Sequence, residues 1–369
     1  MKYYIIAGEA SGDLHGSNLI KELRKLDHQA NIRCWGGDLM QQAGAELVKH
    51  YRDLAFMGFA EVIKNLRTIL RNLKFCKQDI EQYKPDALIL IDYPGFNLRI
   101  AKWAKQKRLK VIFYISPQIW AWKENRAKAM KENIDKMIVI LPFEKKYFKD
   151  RWNWDVEYVG HPLIEVIEKQ KLKEDRQKFS DKPVVALLPG SRKQEIAKKL
   201  PVMLEVSKFF PNYQFIVAEA ASIEDEFYKE FSKNYSNVSA VKNKTYDLLM
   251  QAKAALVTSG TATLETALFG VPEVVCYKGS GVSYQIAKRV IKVKFISLVN
   301  LIMKKMVVKE LIQHELTVEN LRAELNELLT NENRIQQLKK DYAELRELLS
   351  QNGNASEKAA RCIVQFLSQ

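Results

Sequence analysis

The residues able to do chemistry in this chain stand where apolar runs end. Asp92 closes the run ALILI and is followed by Tyr93-Pro94-Gly95-Phe96-Asn97. A carboxylate carried to the end of a buried strand loses hydration, which raises its pKa toward that of a general base. A turn-capping aspartate before proline is the simpler reading, and the strand-end position favours the chemical one. Gly8-Glu9-Ala10-Ser11-Gly12-Asp13 ends the first run, 2–7. Its glycines permit a tight turn and a close approach of backbone to ligand. Ser11 and Asp13 suit the cap of a following helix. Glu9 is a second strand-end acid, where a sugar hydroxyl could meet it. The glycine spacing matches neither the dinucleotide fingerprint nor the P-loop. In Ile115-Ser116-Pro117-Gln118-Ile119-Trp120-Ala121-Trp122-Lys123, two tryptophans one residue apart follow a third run. One of them could stack on a sugar or line an acyl channel; the plain alternative is packing against the neighbouring loop.

Two more phrases have the form of anion sites. In Leu188-Pro189-Gly190-Ser191-Arg192 a glycine turn precedes a helix start. There backbone N–H groups and the Arg192 guanidinium can converge on phosphate. Glu195 could instead pair with Arg192. Thr258-Ser259-Gly260-Thr261-Ala262-Thr263-Leu264-Glu265 puts hydroxyls and a glycine at another strand-to-helix junction, again a phosphate cradle. Glu265, further into that helix, could accept both hydroxyls of a ribose or could simply be solvated. No two aspartates stand two positions apart, so the Asp-x-Asp pattern that holds Mg²⁺ against a diphosphate is missing. We expect neither a metal nor a cofactor. His161, before Pro162, lies near the apparent hinge of the chain and borders the expected cleft.

A feature of another kind is the stretch 55–75, AFMGFAEVIKNLRTILRNLKF. Phe59, Val62, Ile63, Leu66, Ile69, Leu70 and Leu73 share one helical face, with Lys64, Arg67, Arg71 and Lys74 beside it. That is the profile of a helix lying in a membrane interface, and equally of a core-facing helix with a solvated rim.

The elements that must position these residues are strands alternating with helices. Continuous apolar runs at 2–7, 87–92, 111–116 and 136–142, separated by amphipathic stretches, predict a parallel sheet covered on both faces. The pattern restarts at 183–192 and continues at 214–220, 254–260 and 272–277, after a charged stretch at 165–182. The expected fold is therefore α/β, with two Rossmann-like domains facing a cleft, at 1–165 and 166–330. Ligands in such sheets bind beyond the carboxyl ends of the strands. Leucine-spaced helices at 331–369 are expected to pack back on the first domain, and they could also pair two copies in a homodimer.

The chain has 369 residues, 47% of them hydrophobic, with 59 Lys and Arg against 44 Asp and Glu, a net charge of +15. This composition excludes disorder and fits two domains. The basic excess points to an anionic surface or a polyanionic partner. Nucleic acid is disfavoured, because neither an RNP-type aromatic motif nor a helix-turn-helix signature is found. Four scattered cysteines form no CxxC pair, which speaks against zinc. The opening apolar run is too short for a signal peptide, and no run reaches membrane-spanning length. The expectation is a cytoplasmic protein whose membrane contact is peripheral.

Taken in order, AGEASGD, IDYPGFN, YISPQIWAWK, LPFE, YVGHP, LLPGSR, TSGTATLE and SLVNLI resemble the lipid-A-disaccharide synthase family, inverting glycosyltransferases with the GT-B fold. The resemblance implies UDP-2,3-diacylglucosamine as donor and 2,3-diacylglucosamine 1-phosphate as acceptor, at the cytoplasmic face of the inner membrane of a Gram-negative cell. By position it implies Asp92 as base, with Glu9 and Ser11 on the acceptor side. It places Arg192, Glu265 and Asn300 on the donor side, beside the Gly190, Ser191, Ser259, Gly260 and Thr261 loops. Glu9, Asp13 and Asp92 all remain candidates for the base, Asp92 and Glu9 before Asp13. Tyr93 and Gly95 stand where some members carry Ala and Asp, which removes a possible second carboxylate. Two other readings are weighed against this one. The first is a GT-B enzyme acting on UDP-N-acetylglucosamine. The second is a non-catalytic basic protein binding anions or membranes, which would leave the phosphate loops and Asp92 unexplained.

Overall fold

The computed structural model describes residues 1–54, 66–122, 124–173, 177–221, 223–279, 294–350 and 353–369. The chain divides into two compact units, Met1–Pro162 with Ser350–Gln369, and Leu163–Leu349.

The first unit is built on β1 (Lys2–Ala7), β2 (Asn31–Gly36), β3 (Glu46–His50), β4 (Ala87–Ile91), β5 (Lys110–Tyr114), β6 (Lys136–Val139) and β7 (Glu157–Tyr158). They lie in the order β3-β2-β1-β4-β5-β6-β7, every pair parallel. The central strands are buried on both faces because helices cover both sides, which is why they read as unbroken apolar runs. Their side chains join a core with Trp35, Phe96, Phe113 and Phe148. The chain winds outward from β1 to β3 and then returns to pair β4 with the other side of β1. This reversal is a topological switch point, where open parallel sheets bind ligands. Ala7 is in register with Ile91, so Glu9 and Asp92 both emerge there.

The second unit repeats the plan with β8 (Val184–Leu188), β9 (Gln214–Glu219), β10 (Val238–Lys242), β11 (Ala252–Thr258), β12 (Glu273–Tyr277) and β13 (Lys309–Ile312), ordered β10-β9-β8-β11-β12-β13. Its switch point falls between β8 and β11, the strands that precede the two phosphate-type phrases.

Sequence reading found the central strands and missed β2, β3, β7, β10 and β13. β3 and β10 are edge strands with half-exposed residues, and β7 has only two residues, so none presents a continuous apolar run. The C-terminal helices also depart from expectation. Val318–Thr330 and Glu332–Ser350, the latter through Leu349, belong to the second unit. Leu338, Tyr342, Leu345 and Leu349 are buried there, which occupies the leucine stripe within the chain. Only Ala355–Leu367 returns to the first unit, packing on the helix Ala10–Leu26.

Of the stretch with membrane-like spacing, Phe59, Val62 and Ile63 lie outside the described residues. Leu66 opens the helix Leu66–Tyr83. Ile69 and Leu73 of that helix pack against the core, so the core-facing reading holds for them. Leu70, by contrast, is 56% exposed. Among the described residues no helix is long and apolar enough to cross a membrane.

Candidate active site

At the switch point of the first unit, Asp92 and Tyr93 both have left-handed backbone, with φ of 45° and 48°. Side-chain-bearing residues rarely adopt this conformation unless their surroundings impose it. Buried Asn97 imposes it here, its amide donating to the carbonyls of Asp92 (2.8 Å) and Ile91 (3.2 Å). Pro94 starts the helix Pro94–Gln106, where a missing N–H costs nothing. The Tyr93 ring lies so close to Gly8 that a Cβ built on that glycine would sit 2.3 Å from the ring. Gly8 is therefore required by close approach, and the two switch-point loops lock together.

Burial, with the charge of Glu9 adding to it, pushes the Asp92 carboxyl up to about 7 against an opposing hydrogen bond from the Tyr93 backbone. Glu9 raises the Tyr93 phenol in the same way, after burial. A third acid joins them. Glu144, fully buried on the helix Pro142–Trp152, is also raised to about 7, mainly by burial, with Asp92 contributing. It accepts from the Leu141 N–H (3.0 Å) and the Trp120 indole N–H (3.2 Å). Trp120 is half-buried, set edge-on to Phe143 at 4.9 Å, so the 142–144 segment fixes it. Trp122 ends the same short helix, Ile119–Trp122. His15 and His161 are buried and interact electrostatically. Burial lowers them to about 4 and about 3, which keeps both neutral.

In the second unit a pocket of about 420 Å³ opens at the ends of β8, β9 and β11. Gly190, Ser191, Arg192, Ser259, Gly260, Thr261 and Glu265 all line it. Gly190 has φ of +120°, a region that only glycine enters without strain. Arg192 precedes the helix Lys193–Ser207 and pairs with Glu195 at 2.9 Å. The pair is exposed, so it is weak and open to exchange for an incoming anion. Gly260 precedes the helix Thr261–Phe269, whose first N–H groups have no partner one helical turn back. The Ser259 hydroxyl donates to the Ile296 carbonyl at 3.0 Å. Glu265 is held by the Tyr246 hydroxyl at 2.7 Å, and burial raises its pKa. Its other oxygen has no hydrogen bond among the described residues. Together these groups offer an anion site beside an acceptor suited to a sugar hydroxyl.

The sequence matches the lipid-A-disaccharide synthetase family over residues 3–366. The chain belongs to that family. It is 38% identical to the lipid-A-disaccharide synthase of Geobacter metallireducens, covering 99% of this chain and 97% of that protein. It is also 38% identical to lipid-A-disaccharide synthase 1 of Legionella pneumophila, covering 94% and 92%. Among solved structures, the glycotransferase of kitacinnamycin superposes with a TM-score of 0.67 at 16% identity, over 99% of each chain. The UDP-GlcNAc 2-epimerase of Neisseria meningitidis superposes with a TM-score of 0.64 at 14% identity, over 100% of each. At such identities the likeness is one of fold, and the fold is GT-B. This member of the synthetase family is thus a glycosyltransferase, which sets aside the non-catalytic reading.

Two polar residues have partners that the sequence did not indicate. Asn300 is wholly buried and is not among the residues that line the pocket. Its amide donates to the Val308 carbonyl (2.9 Å) and the Glu310 carboxylate (2.8 Å), and its oxygen accepts from the Val307 and Val308 N–H groups. These four bonds use the side chain's donors and acceptors to tie the 297–310 loop together. Asp13 does not cap its own helix. Its carboxylate accepts from the N–H groups of Gly37, Leu39 and Met40, at 2.8, 3.2 and 3.0 Å, capping the helix Asp38–Gln42 across the fold. Ser11 is exposed on the first helical turn.

Sequence reading passed over Glu144, Asn97, Tyr246 and Lys199. Lys199 had a readable signal. It stands three residues after buried Ile196 and four before buried Met203, on the inner face of its helix. Its neighbour Lys198 is exposed.

Proposed function

We propose that this enzyme transfers the acylated glucosaminyl group of UDP-2,3-diacylglucosamine to the 6-hydroxyl of 2,3-diacylglucosamine 1-phosphate. The products are a β-1,6-linked disaccharide 1-phosphate and UDP, formed by one inverting displacement. The observation that carries the reading is the strand-end carboxyl of Asp92, raised to about 7 beside Glu9. An acid of that pKa is both substantially ionised near neutral pH and basic enough to take a proton. Asp92 removes the hydroxyl proton as the acceptor oxygen bonds to C1 of the donor. The C1–O bond to UDP breaks with its electron pair left on the diphosphate.

In the second unit, Arg192 exchanges Glu195 for the diphosphate, and the helix starts at Ser191 and Gly260 face the developing charge. Glu265 takes a ribose hydroxyl. Trp120, its N–H held by Glu144, offers its face to the acceptor. The reading assigns no metal and no organic cofactor. It also places the protein on the anionic cytoplasmic face of the inner membrane. Leu70 is exposed on a helix that also exposes Arg67, Arg71 and Lys74, which suits an anionic lipid surface.

The test is product formation by the purified protein from the two lipids in detergent micelles. A disaccharide phosphate with release of UDP supports the proposal. UDP binding without product would move the reaction to another UDP-sugar. Failure to bind UDP would remove the pocket's assignment.

A further inference from the structure

We propose that Lys199 is a positioning residue for the donor's diphosphate, acting through the hydroxyl of Thr258; this rests on the reading of the second unit's pocket as a UDP site. Lys199 is 2% exposed, and a buried lysine is expensive unless its charge is used. Its ammonium donates to Thr258 Oγ1. It also lies 3.9 Å from Glu195 and 3.6 Å from where a Cβ would stand on Gly190. It therefore sits behind the turn that the phosphate-type loop makes.

Thr258 is the last residue of β11 and lines the pocket. A hydroxyl has one proton and two lone pairs. Because its oxygen accepts from Lys199, its proton is available to donate, and among the described residues it has no acceptor. A phosphate oxygen in the pocket would supply one, and the ammonium behind would strengthen that bond by polarising the hydroxyl.

The ion pairs point the same way. Arg192 and Lys199 both lie within ion-pair distance of the Glu195 carboxylate, a position that an incoming diphosphate can take over. Burial lowers Lys199, against the pull of Glu195. A bound diphosphate would stabilise its charged form.

The experiment measures UDP and uridine affinity for the full-length protein by calorimetry and NMR titration, using wild type, Lys199→Met, Thr258→Val and the double variant. Methionine keeps the apolar stem and removes the charge. Lys199→Met should weaken UDP about tenfold or more, the scale of a hydrogen bond to a charged group. Uridine, which has no phosphate, should bind as before. The double variant should be no weaker than Lys199→Met alone, because the two residues act as one unit. UDP affinity unchanged in Lys199→Met, or uridine weakened in parallel, would overturn the proposal by leaving Lys199 a support of the fold. Should Lys199→Met not fold, Thr258→Val decides alone: unchanged UDP affinity overturns the proposal, and a loss confined to UDP supports it. A wild-type protein that binds no UDP would refute the underlying pocket reading, a distinct result.

Discussion

Replacing Asp92 by Asn leaves the shape of the strand-end turn intact and removes both the base and the cost of its ionisation. The folded carboxyl titrates at about 7 against an ordinary 3.8, so the folded state binds more protons than the unfolded state between those values. Stability contributed by this group is then fully present below about pH 4 and is lost as pH rises toward 7. The whole loss is roughly 4 kcal/mol, at about 1.4 kcal/mol per tenfold change in acidity. Asn does not titrate. Asp92→Asn should therefore be more stable than wild type, and its advantage should widen by about 2–3 kcal/mol between about pH 5 and pH 8. Paired denaturant melts at the two pH values read this difference, because the other titrating groups are present in both proteins and Glu144 loses only the smallest of its contributions. The same variant should lose about 10²–10⁴-fold in kcat, the usual contribution of a general base. In wild type, kcat/KM should rise through about pH 7 as Asp92 ionises. Near-normal turnover in the folded variant would end the case for Asp92 as base and turn attention to Glu9. A stability difference that does not change with pH would show that burial does not raise Asp92 in the way argued.

Three further outcomes follow from the same structure. Glu9→Gln removes a charge that raises Asp92, so the acid limb of the kcat/KM profile should move to lower pH; a slower enzyme with an unmoved limb would break the link between the two acids. Asn300→Ala strips four hydrogen bonds from a buried loop and should destabilise the second unit by about 2–4 kcal/mol, while UDP affinity of the folded fraction stays at the wild-type level; a selective loss of UDP affinity would restore Asn300 as a ligand contact. Leu70→Glu places a negative charge on the exposed basic helix face and should cut partition onto vesicles of mixed phosphatidylglycerol and phosphatidylethanolamine by about tenfold. Co-sedimentation equal to wild type would dissociate Leu70 from membrane contact.

The sequence by itself determined the central strands, the α/β class and the family. These depend on local matters: unbroken apolar runs, turn residues and short ordered phrases. It also located the two switch-point loops, because an apolar strand must end where its polar residues begin, and Asp92, Gly190 and Gly260 mark those ends. Only the tertiary structure decided what each polar side chain does. Asp13 and Asn300 read as candidates beside a ligand, yet their partners are backbone groups far along the chain or across a loop, which no local pattern announces. Glu144 appeared only as the end of the phrase LPFE, with no sign of its role, since its meaning comes from the burial that places it near Asp92 and in hydrogen-bond contact with Trp120. The same holds for the pKa of Asp92. Its residue type and position are written in the sequence, but the raised value comes from dehydration and from Glu9, a residue 83 positions away that the β1–β4 register sets alongside it.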